Sequence, residues 1–554
     1  MKPHNFLIRI FLAAVVSLLL GGIARADVIP TTEVFGTASD GTVLHWVVYT
    51  PKTPGPWPAV LIIHGGGFNS NSPTSSPESV NCGQDMAAAG YIAFSIEYRL
   101  APPGFLPGQV SDGRYPDQSD DAKVAIRAAR NDARCNGQVG AVGGSGGGYL
   151  VAYCLGTGTA GDDRLDVGVG LSGVYDLSDF NPAPSLNYFT NTVTNYVNVP
   201  STDTAALRAA SPAWLVDDKI NPLLMVNSTR DSMPYAQLGD MIEHLDALGV
   251  TNYQAQSQAG GKHAFANWPD VKGVALTFIA NGFAGVLPPP PVPAPPPGST
   301  TQQLLNVSTR ATAGVGDDVM VGGFIVSGTT DKRVVLRALG PSLSQSGVSG
   351  TLADPVISLY DDKGELMSSN NNRIELGGVV NPLLPQDPAE SYLTAILPPG
   401  SYTTVVEGAN ATSGVALVEA YDVTPADSRV GNISTRADIA YPSDVMVGGF
   451  IIGGSESTSV IVRALGPSLA AFGIAAPLPN PALEIYDENG DQVAGNDDWR
   501  TTQAQEIQDT GLAPASNLES AIVSTLAPGS YTAVVHDATQ GTGIGLVEVY
   551  NLEL

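Results

Sequence analysis

The stretch Val139-Gly-Ala-Val-Gly-Gly-Ser-Gly-Gly-Gly-Tyr149 places one serine, Ser145, between two pairs of glycines. Residues 139–142 have the composition of a short buried strand, and residues 149–155 that of a helix. A strand, a tight turn and a helix are the context in which a Gly-x-Ser-x-Gly motif presents its serine as a nucleophile. Such a turn needs glycines because a Cβ would clash in it. A plain glycine-rich turn has the same pattern, so the prediction depends on other stretches that agree with it.

The first 26 residues have the pattern of a secretory signal peptide. Lys2 and Arg9 supply a basic start, residues 11–20 are apolar, and Ala24-Arg-Ala26 fits the small-x-small cleavage rule. A membrane anchor is the alternative, but this apolar run is too short for one. We therefore expect cleavage after Ala26 and a secreted, periplasmic or cell-surface protein.

The composition disfavours several classes of partner. The formal net charge of −27 repels nucleic acid and anionic membranes. The three cysteines, Cys82, Cys135 and Cys154, leave at least one thiol unpaired, and their spacing does not choose a disulfide. No Cys-x-x-Cys or His-Glu-x-x-His motif is present. We expect no nucleic-acid partner, no membrane span after the signal peptide, no metal and no organic cofactor.

The chain divides at a proline-rich segment, residues 288–300. Before it, residues 27–287 alternate apolar strand-like runs with helical periods, which predicts an α/β domain with a mostly parallel sheet. The segment itself is a stiff extended spacer. We therefore expect the domains on its two sides to share few contacts and to fold independently.

Two internal repeats follow the spacer. Asn306-Val-Ser-Thr-Arg310 returns as Asn432-Ile-Ser-Thr-Arg436, 126 residues later. Short β-branched runs between Gly, Pro and Asn turns predict two β-sandwich-like domains, residues 301–427 and 428–554.

Each repeat contains one arginine among apolar neighbours at a strand end, Arg337 and Arg463. Glu419 and Glu548 are the candidate buried partners, and a solvated arginine is the equal alternative.

A second glycine stretch follows a buried strand, Ile62-Ile-His-Gly-Gly-Gly-Phe68. Acyl transfer requires N–H donors that are already in place to stabilise an oxyanion. We predict the amides of Gly66, Gly67 and Gly146 as these donors. His64 is interpreted as a structural residue of this loop.

The general base is sought among four histidines of the α/β domain, namely His45, His64, His244 and His263. We predict His263, because it lies in a flexible glycine-containing loop before the last helix. The sequence places His45 in an early strand and His244 on the solvent-facing side of a helix predicted over residues 234–248.

Asp231, just after a strand predicted over residues 222–227, is the expected acid. The order Ser145, Asp231, His263 suits a nucleophile elbow of this kind. The alternative role of Asp231 is the N-cap of the following helix. Three other aspartates are rivals: Asp203, Asp217 and Asp240.

With these motifs, residues 40–287 resemble the α/β-hydrolase superfamily. The resemblance is to the hormone-sensitive-lipase and carboxylesterase branch and to feruloyl and acetyl-xylan esterase relatives. The further matching motifs are Tyr98-Arg-Leu-Ala-Pro102 and Pro116 followed by Asp121. The chain departs from the family in having Gly144 and Gly146 on either side of the serine, where Asp and Ala are usual. The predicted helix over residues 120–133 also lacks the usual Trp.

The resemblance implies an α/β-hydrolase fold and a secreted serine esterase acting on short acyl or aromatic, feruloyl-type esters, including polysaccharide-linked ones. A serine peptidase on the same fold is one alternative. A surface or adhesion protein with a degenerate hydrolase domain is another. The repeats resemble β-rich modules of secreted bacterial proteins, a resemblance that implies no settled activity. Contact with a polymer or a cell surface is one role for them, and passive spacers are the alternative.

Overall fold

The computed structural model describes residues 30–102, 113–180, 186–286, 303–373, 381, 383–423, 429–442, 444–453 and 456–552. The predicted signal peptide, the proline-rich linker and the repeat boundary between residues 427 and 428 lie outside these ranges. Within them, no helix has both the length and the apolar character needed to cross a bilayer.

The first part of the chain is an α/β unit. Its strands are β1 (Thr31–Thr37), β2 (Val43–Tyr49), β3 (Trp57–Ile63), β4 (Ile92–Ile96), β5 (Cys135–Gly144), β6 (Val167–Leu171), β7 (Leu223–Ser228) and β8 (Tyr253–Gln258). Its helices are α1 (Pro77–Ala88), α2 (Asp117–Asn131), α3 (Gly146–Gly156), α4 (Leu186–Val197), α5 (Thr204–Ala209), α6 (Pro212–Leu215), α7 (Ala236–Ala247) and α8 (Trp268–Ala284).

The eight strands form one sheet in the order β1-β2-β4-β3-β5-β6-β7-β8. The pairs from β4 to β8 are parallel, whereas β1 and β2 are antiparallel additions. The central strands are buried along most of their length, because helices cover both faces of a parallel sheet. Loops after β3, β5, β7 and β8 therefore meet at one edge, where ligands of such sheets bind. This is the α/β-hydrolase fold that the resemblance implied.

In its described residues, the second part is all-β apart from one short α-helix and four 3₁₀ turns. The strands of the first repeat are β9 (Gln303–Ala313), β10 (Met320–Ser327), β11 (Lys332–Leu339), β12 (Pro355–Tyr360), β13 (Leu366–Asn370), β14 (Ser391–Leu397), β15 (Gly400–Gly408) and β16 (Gly414–Asp422). Those of the second are β17 (Arg429–Ile439), β18 (Met446–Gly453), β19 (Thr458–Leu465), β20 (Pro481–Tyr486), β21 (Gln492–Asn496), β22 (Ser520–Leu526), β23 (Gly529–Asp537) and β24 (Gly543–Asn551), with α9 (Ala504–Asp509) before β22.

The two repeats exchange their first strands. Strand β9 pairs with β16 of its own repeat and with β18 of the other. Strand β17 pairs with β24 of its own repeat and with β10 of the other. Where β9 and β17 run side by side they are parallel, and the equivalent residues Thr309 and Thr435 are hydrogen-bonded at 2.8 Å. The sixteen strands consequently form one connected, mostly antiparallel sheet system.

The arginine of each repeat has the carboxylate partner that was a candidate from the sequence. Arg337 pairs with Glu419, and Arg463 pairs with Glu548. All four side chains are largely buried, so the solvated alternative is wrong.

The first repeat also packs on the α/β unit, which contradicts the prediction of few contacts between them. Helix α7 lies against β14 so closely that a Cβ built on Gly239 would be 2.4 Å from the carbonyl oxygen of Thr394. Arg333 of β11 forms ion pairs with Glu243 and Asp246 of α7. Helix α7 and the first repeat dock because their facing surfaces are complementary in charge and shape.

Candidate active site

Ser145 lies in the sharp turn between β5 and α3. Its backbone has φ 55° and ψ −121°, a combination that a residue with a side chain rarely adopts. The turn is fixed on both sides, because the Ser145 amide donates to Leu171 at 2.8 Å and its carbonyl accepts from Tyr149 at 3.1 Å. Its side chain therefore lies at the carboxyl edge of the sheet, as the motif predicts for a nucleophile elbow.

The glycines around Ser145 are required by close packing. A Cβ on Gly147 would be 2.1 Å from the carbonyl oxygen of Ile63, and one on Gly143 would be 2.1 Å from that of Gly147. The position before the serine is tight as well, since a Cβ on Gly144 would be 2.9 Å from Cβ of Ala264. The elbow is thus pressed against β3 on one side and the histidine loop on the other.

The glycine loop after β3 lies directly against the serine. A Cβ on Gly65 would be 2.8 Å from Cβ of Ser145. Gly66 and Gly67 have φ values of 100° and 59°, which glycine adopts without strain. The Gly66 carbonyl accepts the Ser70 amide at 3.1 Å, and Gly146 is the first residue of α3.

His64 holds this loop from behind. The Tyr98 hydroxyl donates to the His64 carbonyl at 2.9 Å, and the two rings stack with centroids 4.3 Å apart. Nδ1 of His64 is 2.9 Å from the Gly65 carbonyl, and burial lowers the pKa of the imidazole to about 4. In the same motif, Arg99 makes a bidentate ion pair with buried Asp121. These contacts agree with the structural interpretation of His64.

Asp231 and His263 are brought together by the loops after β7 and β8. Nδ1 of His263 is 2.6 Å from Oδ1 of Asp231, whose side chain is fully buried. Asp231 also accepts the amide of Met233 at 2.9 Å. Helix α7 begins at Ala236 with no side-chain cap, so the alternative role of Asp231 as an N-cap is wrong.

The other candidates are engaged elsewhere. Asp203 caps α5 through the Ala206 amide, and Asp217 accepts the Lys219 amide. Asp240 lies within α7. His45 pairs with Glu97 at 2.9 Å.

His244 is buried rather than on the solvent-facing side of its helix, which corrects the sequence prediction. Its ring packs edge-on against Trp214 with centroids 4.7 Å apart, and Nδ1 is 2.8 Å from the Asp240 carbonyl. The helix buries this side because the chain folds α6 over it.

Ser172 is a residue of the site that sequence reasoning missed. It follows β6 with φ 52°, and its hydroxyl donates to Oδ2 of Asp231. Oγ of Ser172 also accepts the amide of Ala264, the residue after His263, at 2.8 Å. One hydroxyl thus joins the acid to the base loop. The available signal was a polar residue directly after a buried strand at the sheet edge that carries the site.

Two cavities meet at Ser145 and His263. One, of about 340 Å³, is covered by α4 and has an apolar lining that includes Phe68, Val174, Phe189, Val193 and Met233. The other, of about 190 Å³, has Asn71, Ser75, Ser76 and Glu78 in its lining. In the described chain, no three His, Cys, Asp or Glu side chains are grouped to hold a metal ion.

The topology and the elbow at the end of β5 define the α/β unit as an α/β hydrolase. Residues 47–245 match the family model described as BD-FAE.

Several known proteins resemble this part of the chain. Esterase LipC of Mycobacterium tuberculosis is 27% identical over 227 residues, which are 38% of this chain and 53% of LipC. The chain thus spans about half the length of that curated relative. A thermophilic esterase from Thermogutta terrifontis aligns with 20% identity and a TM-score of 0.37, covering 47% of this chain and 94% of the esterase. A truncated carbohydrate esterase from gut microbiota aligns with 20% identity and a TM-score of 0.36, covering 46% of this chain and 96% of that one.

Proposed function

We propose that this protein is a serine esterase that hydrolyses carboxylic esters through an acyl-enzyme. The observation that carries the proposal is the 2.6 Å contact between His263 and buried Asp231. His263 lines the same cavity as Ser145. The match of residues 47–245 to the BD-FAE family model supports the same activity.

The mechanism assigns one role to each group. Asp231 accepts a hydrogen bond from Nδ1–H of His263, which leaves Nε2 unprotonated and able to take the proton of Ser145 as its oxygen attacks the ester carbonyl. The amides of Gly66, Gly67 and Gly146 stabilise the resulting oxyanion. As the C–O bond breaks, the imidazolium returns the proton to the leaving alcohol. Water then attacks the acyl-enzyme with His263 again as base, and this step releases the acid and free Ser145.

The proposed substrates are esters with short acyl or aromatic, feruloyl-type acids. The apolar cavity of about 340 Å³ suits a small acyl or aromatic group, since ligand pockets start near this size. The cavity of about 190 Å³ also contains the hydroxyl groups of Ser75 and Ser76 and the carboxylate of Glu78 in its lining, which suit an alcohol rich in hydroxyl groups, such as a sugar. The predicted signal peptide adds the proposal that the protein acts outside the cytoplasm.

The test is a panel of nitrophenyl and feruloyl esters against the wild type and Ser145→Ala, with circular dichroism to verify the fold. Loss of the nucleophile should lower kcat by about 10⁴-fold or more. A fluorophosphonate should label the wild type on Ser145 and leave the variant unlabelled. A folded Ser145→Ala protein that keeps more than about a tenth of the wild-type rate would disprove the assignment.

A further inference from the structure

The first repeat contacts the segments that carry Asp231 and His263 at three places. These contacts come from the hairpin after β12, from the β10–β11 turn with its strand β11, and from β14. All of them reach the same side of the α/β unit, behind the acid and base loops. Together they connect the all-β part to the site.

The first contact is made by the residue that precedes the acid. Nε of Arg230 is 3.4 Å from Oδ2 of Asp361, whose side chain is 8% exposed. The backbone amide of Arg230 donates to the Gly260 carbonyl at 2.8 Å, which ties the acid loop to the base loop. An ion pair from the repeat is therefore held within one residue of Asp231.

The second contact involves both the segment that follows Asp231 and the strand that precedes His263. Tyr235, four residues after Asp231, is buried, and its hydroxyl donates to the carbonyl of Ile396 in β14. The same hydroxyl is 2.9 Å from Oγ of Ser257 in β8, the strand that leads to His263. The Ser257 amide donates to Asp331 of the repeat at 2.9 Å. The repeat thus holds the segment after the acid and the segment before the base.

The third contact fixes helix α7. Glu243 of this helix accepts hydrogen bonds from Thr394 and from the Tyr392 hydroxyl, the latter at 3.1 Å, and pairs with Arg333 at 3.0 Å. Arg333 also pairs with Asp246. The Glu243 side chain is 3% exposed, so its charge is matched almost entirely by groups of the repeat.

The second repeat shows that this face is specific to the first. The residues equivalent to Arg333, Tyr392 and Thr394 are Ser459, Ala521 and Val523. Ala521 and Val523 are covered by the second repeat's own Trp499 and by Ile507 of α9. The same surface of the fold is therefore capped internally in one repeat and by helix α7 of the hydrolase in the other.

We propose that the first repeat is a positioning element of the esterase, which keeps Asp231 and His263 aligned through Asp361, Asp331 and Arg333. This inference rests on the proposed function. The chemistry needs the imidazole held in one orientation while the proton moves, and a fraction of an ångström at such a group changes the rate. The repeat supplies that restraint, because the segments on both sides of Asp231 and the segment before His263 contact its charged and carbonyl groups.

The chain offers a matched pair of variants for the test, Asp361→Asn and Asp487→Asn. Asp361 and Asp487 are equivalent, and each accepts two backbone amides of its own hairpin, at 2.9 and 3.0 Å. Asparagine keeps those acceptors. Of these two aspartates, only Asp361 also forms an ion pair within the described part of the chain, and its partner is Arg230. The difference between the two variants therefore isolates the contact with the hydrolase.

The measurement is kcat and KM on a soluble nitrophenyl ester, per active site titrated with a fluorophosphonate, in the full chain. We expect Asp361→Asn to lower kcat about tenfold with KM changed less than about twofold, while Asp487→Asn keeps both. Arg333→Ser should also lower kcat, as Asp361→Asn does. Asp361→Glu should restore part of the rate, which a general loss of stability would not allow.

The outcomes separate this proposal from the proposed function. If Asp361→Asn and Arg333→Ser both keep kcat within about twofold of Asp487→Asn, the positioning role is wrong. An equal loss in Asp361→Asn and Asp487→Asn assigns the effect to the hairpin and also overturns it. Activity that survives in Ser145→Ala would instead refute the esterase mechanism itself.

Discussion

Replacement of Gly147 by alanine is expected to damage the nucleophile elbow without removing any catalytic side chain. The added Cβ would lie 2.1 Å from the Ile63 carbonyl oxygen and 2.7 Å from that of His64. Both are backbone atoms of β3 and its loop, so neither swings aside as a side chain would. Since Cβ atoms keep at least 3.0 Å from other heavy atoms, α3 and β3 must separate by about 0.9 Å.

That separation acts on the distance between Ser145 and the glycine loop. Ser145 is two residues before Gly147, and Gly66 and Gly67 follow β3, so the two halves of the reacting centre move apart. A misplacement of about 1 Å costs on the order of 10²-fold in rate. Overpacking of a tight interior costs about 1–3 kcal/mol of stability, which exceeds the gain of about 1 kcal/mol for alanine over glycine in a helix.

Gly273→Ala in α8 is the control, because no atom lies within 4 Å of its added Cβ. We expect this variant to keep its kcat and to gain up to about 1 kcal/mol. Both variants are compared by kcat per titrated site on a soluble ester and by urea unfolding. A Gly147→Ala protein with kcat within about threefold of wild type would show that the elbow tolerates the separation, and the packing argument would be wrong.

Three further predictions concern the surroundings of the site. Ser172→Ala should lower kcat about tenfold or more, measured per titrated site, because Asp231 loses a hydrogen bond and the Ala264 amide loses its acceptor. Burial lowers the pKa of His64 from 6.5 to about 4. As the pH falls through that range, this histidine is protonated in the unfolded chain before it is protonated in the folded one. The free energy of unfolding should therefore drop by up to about 3 kcal/mol between those pH values, and His64→Gln should remove that slope in urea titrations. A chain ending at residue 287 should unfold at lower urea than the full chain, since helix α7 loses the groups that match Glu243; an unchanged midpoint would contradict this.

The parts of the site that follow directly from chain order were predictable from the sequence. A buried strand fixes where its carboxyl end lies, so a residue placed just after it is assigned to the reacting edge without knowledge of distant contacts. Ser145, Asp231 and the glycines after β3 are all of this kind. His263 was reachable because its loop precedes the last helix. The same rule applied to β6 would have found Ser172, which was missed because no motif includes it.

Features that depend on two distant surfaces were not predictable. Asp361 and Arg333 have the appearance of ordinary charged surface residues of a β-rich domain. Only the docked α/β unit shows why they are buried, because Arg230 pairs with Asp361 and helix α7 pairs with Arg333. The exchange of β9 and β17 is hidden for a different reason. Both strands carry the Asn-x-Ser-Thr-Arg sequence, so own and exchanged pairings bring nearly the same side chains together.

Because β9 and β17 each pair with a strand of the other repeat, the β-sheet of one repeat alone is incomplete. Equivalent positions face each other where β9 and β17 meet, Leu304 opposite Val430 and Thr312 opposite Asp438. This is the arrangement of a strand-swapped homodimer whose two subunits have been fused into one polypeptide. A lone repeat would therefore have an open edge that a second copy of itself completes. The duplication supplies that second copy on the same chain, and so makes the association independent of protein concentration.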